Sequence, residues 1–548
     1  MGTYVFWILT ILLLSALVIS QILRGKELRK NTYDKIKSDF GNSDNFCGPT
    51  TCFDRTPSVF GYIQDKYPES FCIDDITVND LSLRDLYSRM NRCVTKAGEE
   101  YLYCRFRLLS DDTDDLYEQT VEYAGCEDKA VEIIYILKDA AGGGQYDGFA
   151  GIRELREKTG DNIVSDIIPL ILLALSIASI ALWPVLGIIA TLVMICVCIW
   201  GYFRGRRQMD DSLKGFIAAL KAVSCSKRLA KAGCTAFDRY RELELLLKGS
   251  FLISIKDQTS SSPLSILFDY VRMITHIDII AYKLKISRIA GCIELLESLY
   301  CDIGKLDCAL ATASYIKGKK YCRAKVSGAY QINAKQIYHP LVATPVYNDF
   351  SAQRGILITG SNASGKSTFL KAVAVNVLFA RSFGIAFADE FETGKFRLYT
   401  SMALSDNLLG KESYYVVEAR SIKRMCDVAG RDCLFIIDEV LKGTNTVERI
   451  AAGANILKYL CNKNALCFAA THDRELTHLL KDEMDMYHFT EEIHEDSVTF
   501  PFVIRSGVAN NANAIRLLAM LGFDSRIVNM ADSLVEHYDQ TGNWTDIK

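Results

Sequence analysis

Proline is scarce, at 9 residues in 548. That excludes a collagen-like or proline-rich extended chain. Net charge is almost absent: 63 Lys and Arg against 66 Asp and Glu leave −3. A small, strongly basic nucleic-acid module is thereby excluded, and any nucleic-acid contact would need a local patch. Hydrophobic residues make up 49 %, too many for a disordered chain. Histidine numbers only 7, and the 18 cysteines are scattered, with no CxxC pair matched by a second. Metal-ligand spacing is therefore missing, and the thiols read as small buried hydrophobes of a reducing compartment.

What the chain has in excess is apolar sequence, and it is concentrated. Tyr4 to Leu23 carries no charged residue, and its length of about 20 residues spans a bilayer as a helix. It lacks the preceding positive charge and the small-residue cleavage site of a signal peptide. A second charge-free stretch runs over residues 167–203. As one helix it would reach about 55 Å, nearly twice the roughly 30 Å hydrocarbon core. It reads instead as a transmembrane hairpin turning at Trp183-Pro184, where proline cannot continue the hydrogen-bond ladder. Arg24, Lys26, Arg29 and Lys30 follow the first stretch. Arg153, Arg156 and Lys158 precede the hairpin, and Arg204, Arg206 and Arg207 follow it. The positive-inside rule makes all three flanks cytoplasmic. The expectation is three transmembrane helices in a cell membrane, with the lipid bilayer as partner and the rest of the chain in the cytosol.

The remaining sequence divides into three expected parts. Residues 24–162 form a polar, mostly helical segment with acidic runs and a Gly142-Gly143-Gly144 break. Residues 204–325 carry apolar positions at three- and four-residue spacing and read as long helices. From residue 326 to 548, short apolar runs alternate with helical patterns, the signature of an α/β domain.

In that last part, Gly355 to Thr368 contains the pattern GxxxxGK[ST], met by Gly360, Gly365, Lys366 and Ser367. A strand pattern precedes it and a helix pattern follows. The glycines let the backbone N–H groups of residues 360–368 (Gly360, Ser361, Asn362, Ala363, Ser364, Gly365, Lys366, Ser367 and Thr368) wrap phosphates, and the helix N-terminus adds positive charge. Lys366 would neutralise the β- and γ-phosphates and Ser367 would hold Mg²⁺. Cys433 to Val440 reads as a strand buried on both faces that ends in Asp438 and Glu439. Asp438 is the candidate second Mg²⁺ ligand, and Glu439 the candidate general base that polarises water. Ala469-Ala470-Thr471-His472 is another apolar strand with a polar end. It offers His472 to the γ-phosphate.

These three parts, in this order and spacing, resemble the ABC-type ATPases, and within them the MutS family of DNA mismatch-repair proteins. Gly443-Thr444-Asn445-Thr446 resembles that family's GTST segment, and Ile337 to Leu341 its RHP segment. Ser405-Asp406-Asn407 with Ser413 and Glu418 resembles the signature stretch, in which a Ser of one subunit reaches the other's ATP. Leu306 to Ala311 is similar to the end of the helical lever, and Gly507 to Ala531 to the dimer-supporting tail. The resemblance covers about Ser287–Tyr538. It implies an α/β P-loop ABC-type ATPase domain, preceded here by an α-helical core or lever region and the three membrane helices. It further implies ATP hydrolysis with Mg²⁺ in a composite homodimer site completed by Ser413 in trans, and DNA as partner. Tyr347 is the adenine-stacking candidate by position. Lys227, Arg228, Lys231, Lys317, Lys319 and Lys320 are candidate phosphate contacts to DNA. The chain departs from the family at Ser361, Ala363 and Ser364, where the family has Pro, Met and Gly, and at Leu441-Lys442, where it has Gly-Arg. No Phe-x-Glu, the family's mismatch-reading motif, occurs before residue 340. The alternative expectation is a membrane mechanochemical ATPase that acts on a protein partner without DNA.

Overall fold

The computed structural model describes residues 20, 23–42, 46–110, 112–141, 148–158, 163–247, 263–361, 364–402, 414–493, 498–508, 514–541 and 544. The chain separates into two units. One comprises Met1–Pro68, Tyr87–Arg105 and Asp115–Gly318, and the other Glu69–Leu86, Phe106–Asp114 and Lys319–Lys548.

The first unit is helical. Its main helices are α1 (Lys96–Arg107, of which it holds the residues up to Arg105), α2 (Val164–Ser179), α3 (Pro184–Lys231), α4 (Ile277–Ala290) and α5 (Ile293–Ile316). On α5, Leu296, Leu299, Ile303, Leu306 and Leu310 are buried, the three-and-four spacing of a helix face turned to a core. The same helix buries Asp307. Its carboxylate accepts from the Thr95 Oγ1 hydroxyl at 2.6 Å and from the backbone N–H groups of Thr95 and Val94 at 2.7 and 3.0 Å. Thr95 in turn caps α1 by accepting from Gly98 N at 2.9 Å. Burial pushes the Asp307 carboxyl up to about 6, against the lowering effect of these donors.

The apolar hairpin is present, with differences from expectation. Helix α2 ends at Ser179, a turn follows, and α3 starts at Pro184 with Trp183 as its N-cap. Among the described residues, only Pro184–Arg207 is long and apolar enough to cross a membrane. The 16 residues of α2 reach about 24 Å, short of the roughly 30 Å core. The expected first span at 4–23 lies almost wholly outside the described residues. Among the described residues the expectation is corrected to one helix of sufficient length, paired with a shorter apolar one. The physical reason is the turn: Ile180, Ala181 and Leu182 bond back three residues rather than four, which ends α2 before Trp183. Helix α3 runs on to Lys231 without a break at Arg204, Arg206 and Arg207, because arginine is a good helix former. The hairpin's apolar side chains stay exposed, with Leu175 at 60 %, Leu186 at 68 % and Trp200 at 65 %. Polar groups gather at its base. Lys283 Nζ lies 2.7 Å from Asp166 Oδ2, His276 Nε2 lies 2.7 Å from the Cys198 carbonyl, and the Tyr202 hydroxyl donates to Asp278 at 2.8 Å.

The second unit is built on a six-stranded sheet of β1 (Gly355–Thr359), β2 (Arg397–Ser401), β3 (Cys433–Asp438), β4 (Leu466–Ala470), β5 (Met484–His488) and β6 (Arg505–Ser506). Its order is β2-β3-β4-β1-β5-β6. All neighbours run parallel except β5 and β6. Every residue of β1 and β4 is buried, as expected of parallel strands covered on both faces. Helices α6 (Lys366–Phe383), α7 (Tyr414–Val428) and α8 (Thr446–Asn462) connect the strands. A smaller four-stranded sheet joins Lys325–Ser327, Glu390–Gly394, Ile332–Ile337 and Asn348–Ala352.

The segment expected as one part at 24–162 is divided, since its residues 69–86 and 106–114 belong to this second unit. The first of them covers the edge strand β2, which would otherwise expose unpaired backbone. The Phe71 ring meets Tyr399 edge-on at 5.2 Å. The buried Asp80 carboxylate accepts from Thr400 Oγ1 at 2.6 Å and from Met402 N at 3.0 Å. Arg424 of α7 donates to the Thr400 carbonyl and pairs with Asp74.

Candidate functional site

In an open parallel sheet, ligands bind beyond the carboxyl ends of the strands. Here three adjacent central strands, β3, β4 and β1, end in Asp438-Glu439, Thr471-His472 and the glycine-rich loop. The ends are tied together: Glu439 N donates to Ala470 O at 2.9 Å, and Thr471 N to Ile358 O at 2.9 Å. The sequence-expected catalytic and phosphate residues of the three motifs thus come to one edge.

The loop turns from β1 into α6. Gly365 is the N-cap of α6 with φ +101, a conformation that side chains disfavour. The buried Lys366 opens the helix, and its Nζ donates to the carbonyls of Gly360 at 2.7 Å and Ser361 at 2.8 Å. Burial lowers the Lys366 ammonium below its usual range, while Asp438 nearby opposes this. Ser364 Oγ closes the loop onto Ser361 O at 2.7 Å. Ser367 and Thr368 follow in the first turn of α6, half-buried and exposed respectively. Asn362 and Ala363 lie outside the described residues, as does Ser413.

Asp438 ends β3, half-buried. Glu439 is buried, with φ +59. Its Oε2 lies 2.7 Å from Lys442 Nζ, and its Oε1 lies 3.5 Å from His472 Nδ1. His472 is held below its usual value, first by burial and then by the cations Arg449, Lys366 and Lys442, with Asp473 opposing. Asp473 itself is clamped by Arg449 through two hydrogen bonds of 2.9 and 2.6 Å, the bidentate geometry that fixes a carboxylate. Tyr347 is partly exposed. Its ring meets Tyr338 edge-on at 5.4 Å, and the Lys320 ammonium lies 4.7 Å from its centroid.

The sequence reading missed several groups. Glu491 accepts from Ser361 Oγ at 3.1 Å. Phe502 reaches the phosphate loop, since a Cβ on Gly365 would sit 2.9 Å from its Cδ1. Phe502 is 42 % exposed and has φ +54, an outlier for a bulky residue. Asn348, next to Tyr347, donates to the Phe502 carbonyl at 3.1 Å and accepts from Ile504 N at 2.7 Å. Phe502 sits in the apolar run Phe500 to Ile504, and nothing in the sequence sets it apart there.

Of the candidate DNA-contacting cations, Lys227, Arg228, Lys317 and Lys320 are each paired with a carboxylate, of Glu244, Asp139, Glu127 and Asp389 respectively. Among the described residues there is no cluster of three or more metal-ligating side chains. The donor set of Ser367 and Asp438 suits a cation that takes the rest of its oxygens from phosphates and water, as Mg²⁺ does.

The match to a protein-family model falls in this unit. Residues 356–539 match the family model of MutS domain V. The DNA mismatch repair protein MutS of Halothermothrix orenii is 29 % identical over 264 residues, 46 % of this chain and 30 % of that protein. MutS of Fusobacterium nucleatum is 27 % identical over 280 residues, 49 % of this chain and 31 % of that protein. MutS 1 of Halobacterium salinarum is 29 % identical over 253 residues, 44 % and 29 % of the two chains. The chain therefore spans about 30 % of the length of the curated relatives it matches. With the phosphate loop, the Asp-Glu strand and the Thr-His strand at one sheet edge, residues 356–539 of the second unit are similar to MutS domain V.

Proposed function

We propose that the chain is a Mg²⁺-dependent ATP hydrolase of MutS type. It would work as a homodimer, contact DNA, and be held at a membrane by its apolar hairpin. The observation that carries the hydrolase reading is the convergence of Lys366, Asp438, Glu439 and His472 at the ends of three adjacent strands. The α6 N-terminus and Lys366 would bind the β- and γ-phosphates, with Lys366 leaving the loop carbonyls for the phosphate oxygens. Ser367 and Asp438 would hold Mg²⁺, which supplies charge neutralisation on the phosphates. Glu439 would leave Lys442, orient a water in line with the γ-phosphorus and take its proton. A bond from the water oxygen to that phosphorus forms as the bond to the β-bridging oxygen breaks, giving ADP and phosphate. His472, 3.5 Å from Glu439, would register the γ-phosphate. Tyr347 and Phe502 would border the base. By the family resemblance, Ser413 of a second copy would complete the site.

The membrane reading rests on exposed Leu, Ile, Val and Trp side chains along α2 and the first half of α3. In water they would form an apolar patch well beyond that of an ordinary monomer. The cytosolic face follows from the arginines at the hairpin's base. The second reading, a membrane mechanochemical ATPase acting on a protein partner, is favoured by one observation: the missing Phe-x-Glu before residue 340. The test uses the full chain in detergent. ATP turnover should require Mg²⁺ and vanish in Lys366→Ala. Duplex DNA should bind with an affinity that falls steeply with salt. No binding at low salt, with or without ATP, would favour the second reading. The protein should also float with liposomes, and flotation unchanged by deleting residues 167–203 would refute the tether.

A further inference from the structure

We propose that the apolar hairpin is a re-entrant wedge. It enters the bilayer from the cytosolic face, ends inside the hydrocarbon, and presents no residue on the far side. The inference rests on the membrane reading above. It names what covers the exposed tip: lipid acyl chains, as along the arms.

The hairpin's reach is set at its base. The His276 ring bridges the two arms there: Nε2 lies 2.7 Å from the Cys198 carbonyl of α3, and Nδ1 lies 3.6 Å from Asp166 Oδ1 of α2. Lys283 holds the other oxygen of Asp166 at 2.7 Å. All three side chains are buried within the helical unit. Ionisable groups of this kind are costly in hydrocarbon, so the crossbar marks the level at which the apolar solvent begins. Beyond it project residues 167–179 and 184–197, two arms of about 20 Å each at the helical rise. The hydrocarbon is about 30 Å thick. Even with the turn at 180–183 added, the tip passes the midplane and stops short of the opposite headgroups.

The tip suits a solvent that offers no hydrogen bonds. Turns in water favour Gly, Asn, Asp and Ser, whereas this one reads Ile180-Ala181-Leu182-Trp183-Pro184-Val185. Leu182 is 73 % exposed and Val185 72 %, surface that water on the far side would have to hydrate. The backbone closes on itself. The N–H groups of Ile180, Ala181, Leu182 and Trp183 donate to carbonyls of residues 177–179 at 2.9–3.2 Å, and Gly187 N donates to Trp183 O at 2.8 Å. Pro184 has no N–H to satisfy. Gly187 allows the closure, since a Cβ there would stand 2.6 Å from Ile180 N. The hydroxyls of the arms also bond to their own helices: Ser176 to Leu173 O, Ser179 to Ser176 O and Thr191 to Gly187 O, at 2.7–2.8 Å. Hydrocarbon requires this closure, because no water replaces a missing partner. The Trp183 indole N–H is the one polar side-chain group of residues 180–185. A wedge of this kind has no far-side surface on which to receive a ligand. Whatever the ATPase acts on would then lie in the cytosol or in the bilayer.

Side-specific labelling of the full-length Leu182→Cys variant in sealed proteoliposomes tests this. External protease establishes that the ATPase unit faces outward. A membrane-impermeant maleimide is supplied either outside or trapped in the lumen, and modification at position 182 is read by peptide mass spectrometry. The position should stay unlabelled from both sides and label fully once dodecyl sulfate opens the vesicles and unfolds the protein. Labelling from the lumen would overturn the proposal, because the tip would then stand in water on the far side. Labelling from outside in sealed vesicles would instead overturn the membrane reading of the hairpin itself. Val185→Cys, on the other side of the turn, gives the same three outcomes should Leu182→Cys fail to fold.

Discussion

Asp307→Asn in the helical unit should change how stability depends on pH, by an amount that follows from the burial of the carboxylate. Asp307 is 1 % exposed and titrates near 6, against 3.8 for the free side chain. A raised native value means that the folded state binds the proton more tightly than the unfolded one. Folding stability therefore falls as pH rises through the interval between those values, and is regained as pH falls. The full difference is about 3 kcal/mol, at 1.36 kcal/mol per pH unit. Between about pH 7.5 and pH 5 the accessible part is of the order of 1–2 kcal/mol, because at pH 5 the native carboxyl is mostly protonated and the unfolded one mostly is not. Asparagine cannot ionise, so this slope disappears. At neutral pH the variant also loses part of the acceptor capacity for Val94 N, Thr95 N and Thr95 Oγ1, a further cost of about 1–3 kcal/mol. Urea unfolding of wild type and variant at both pH values measures the difference. Hydrogen exchange over residues 94–107 locates it. The wild-type advantage should grow by about 1–2 kcal/mol on acidification. A constant difference between the two proteins would refute the argument from burial.

Two further outcomes concern the nucleotide site. Gly365→Ala places a Cβ 2.9 Å from Phe502 at φ +101; a cost of about 2 kcal/mol corresponds to roughly thirtyfold weaker ATP binding by calorimetry. Phe502→Ala removes an aromatic surface beside the phosphate loop while relieving its left-handed backbone. KM for ATP should rise roughly tenfold with kcat nearly unchanged, by the usual worth of base–aromatic stacking; an unchanged KM would remove Phe502 from the base site.

The parts of the site that were legible in the sequence are those in which one short segment carries its own context. Gly360 to Ser367 has its strand before it and its helix after it. Asp438-Glu439 and Thr471-His472 end runs so apolar that only buried parallel strands suit them. The sheet order is not written in any one segment, so it could not be read that β1 lies beside β4 and that β2 is the edge. The same holds for contacts between distant residues. Asp80 reaches Thr400 across 320 positions, and Glu439 N finds Ala470 O only once β3 lies beside β4. Phe502 was invisible because its approach to Gly365 goes with a left-handed backbone that no composition rule assigns to phenylalanine. The hairpin was located by hydropathy, but its helix limits were not. Charge ends an apolar run without ending a helix, so α3 passes through Arg204–Arg207. Backbone turning ends a helix without ending an apolar run, so α2 stops at Ser179.

The central claim is that Glu439, brought between Lys442 and His472 at the end of β3, activates the water that attacks bound ATP. Glu439→Gln preserves shape and removes the base. Measured on the full-length protein in detergent, the variant should bind ATP as tightly as wild type, hydrolyse it roughly 10²–10⁴-fold more slowly, and accumulate with the nucleotide intact. Turnover equal to wild type, with ATP binding unimpaired, would contradict the assignment and the account of the site built on it.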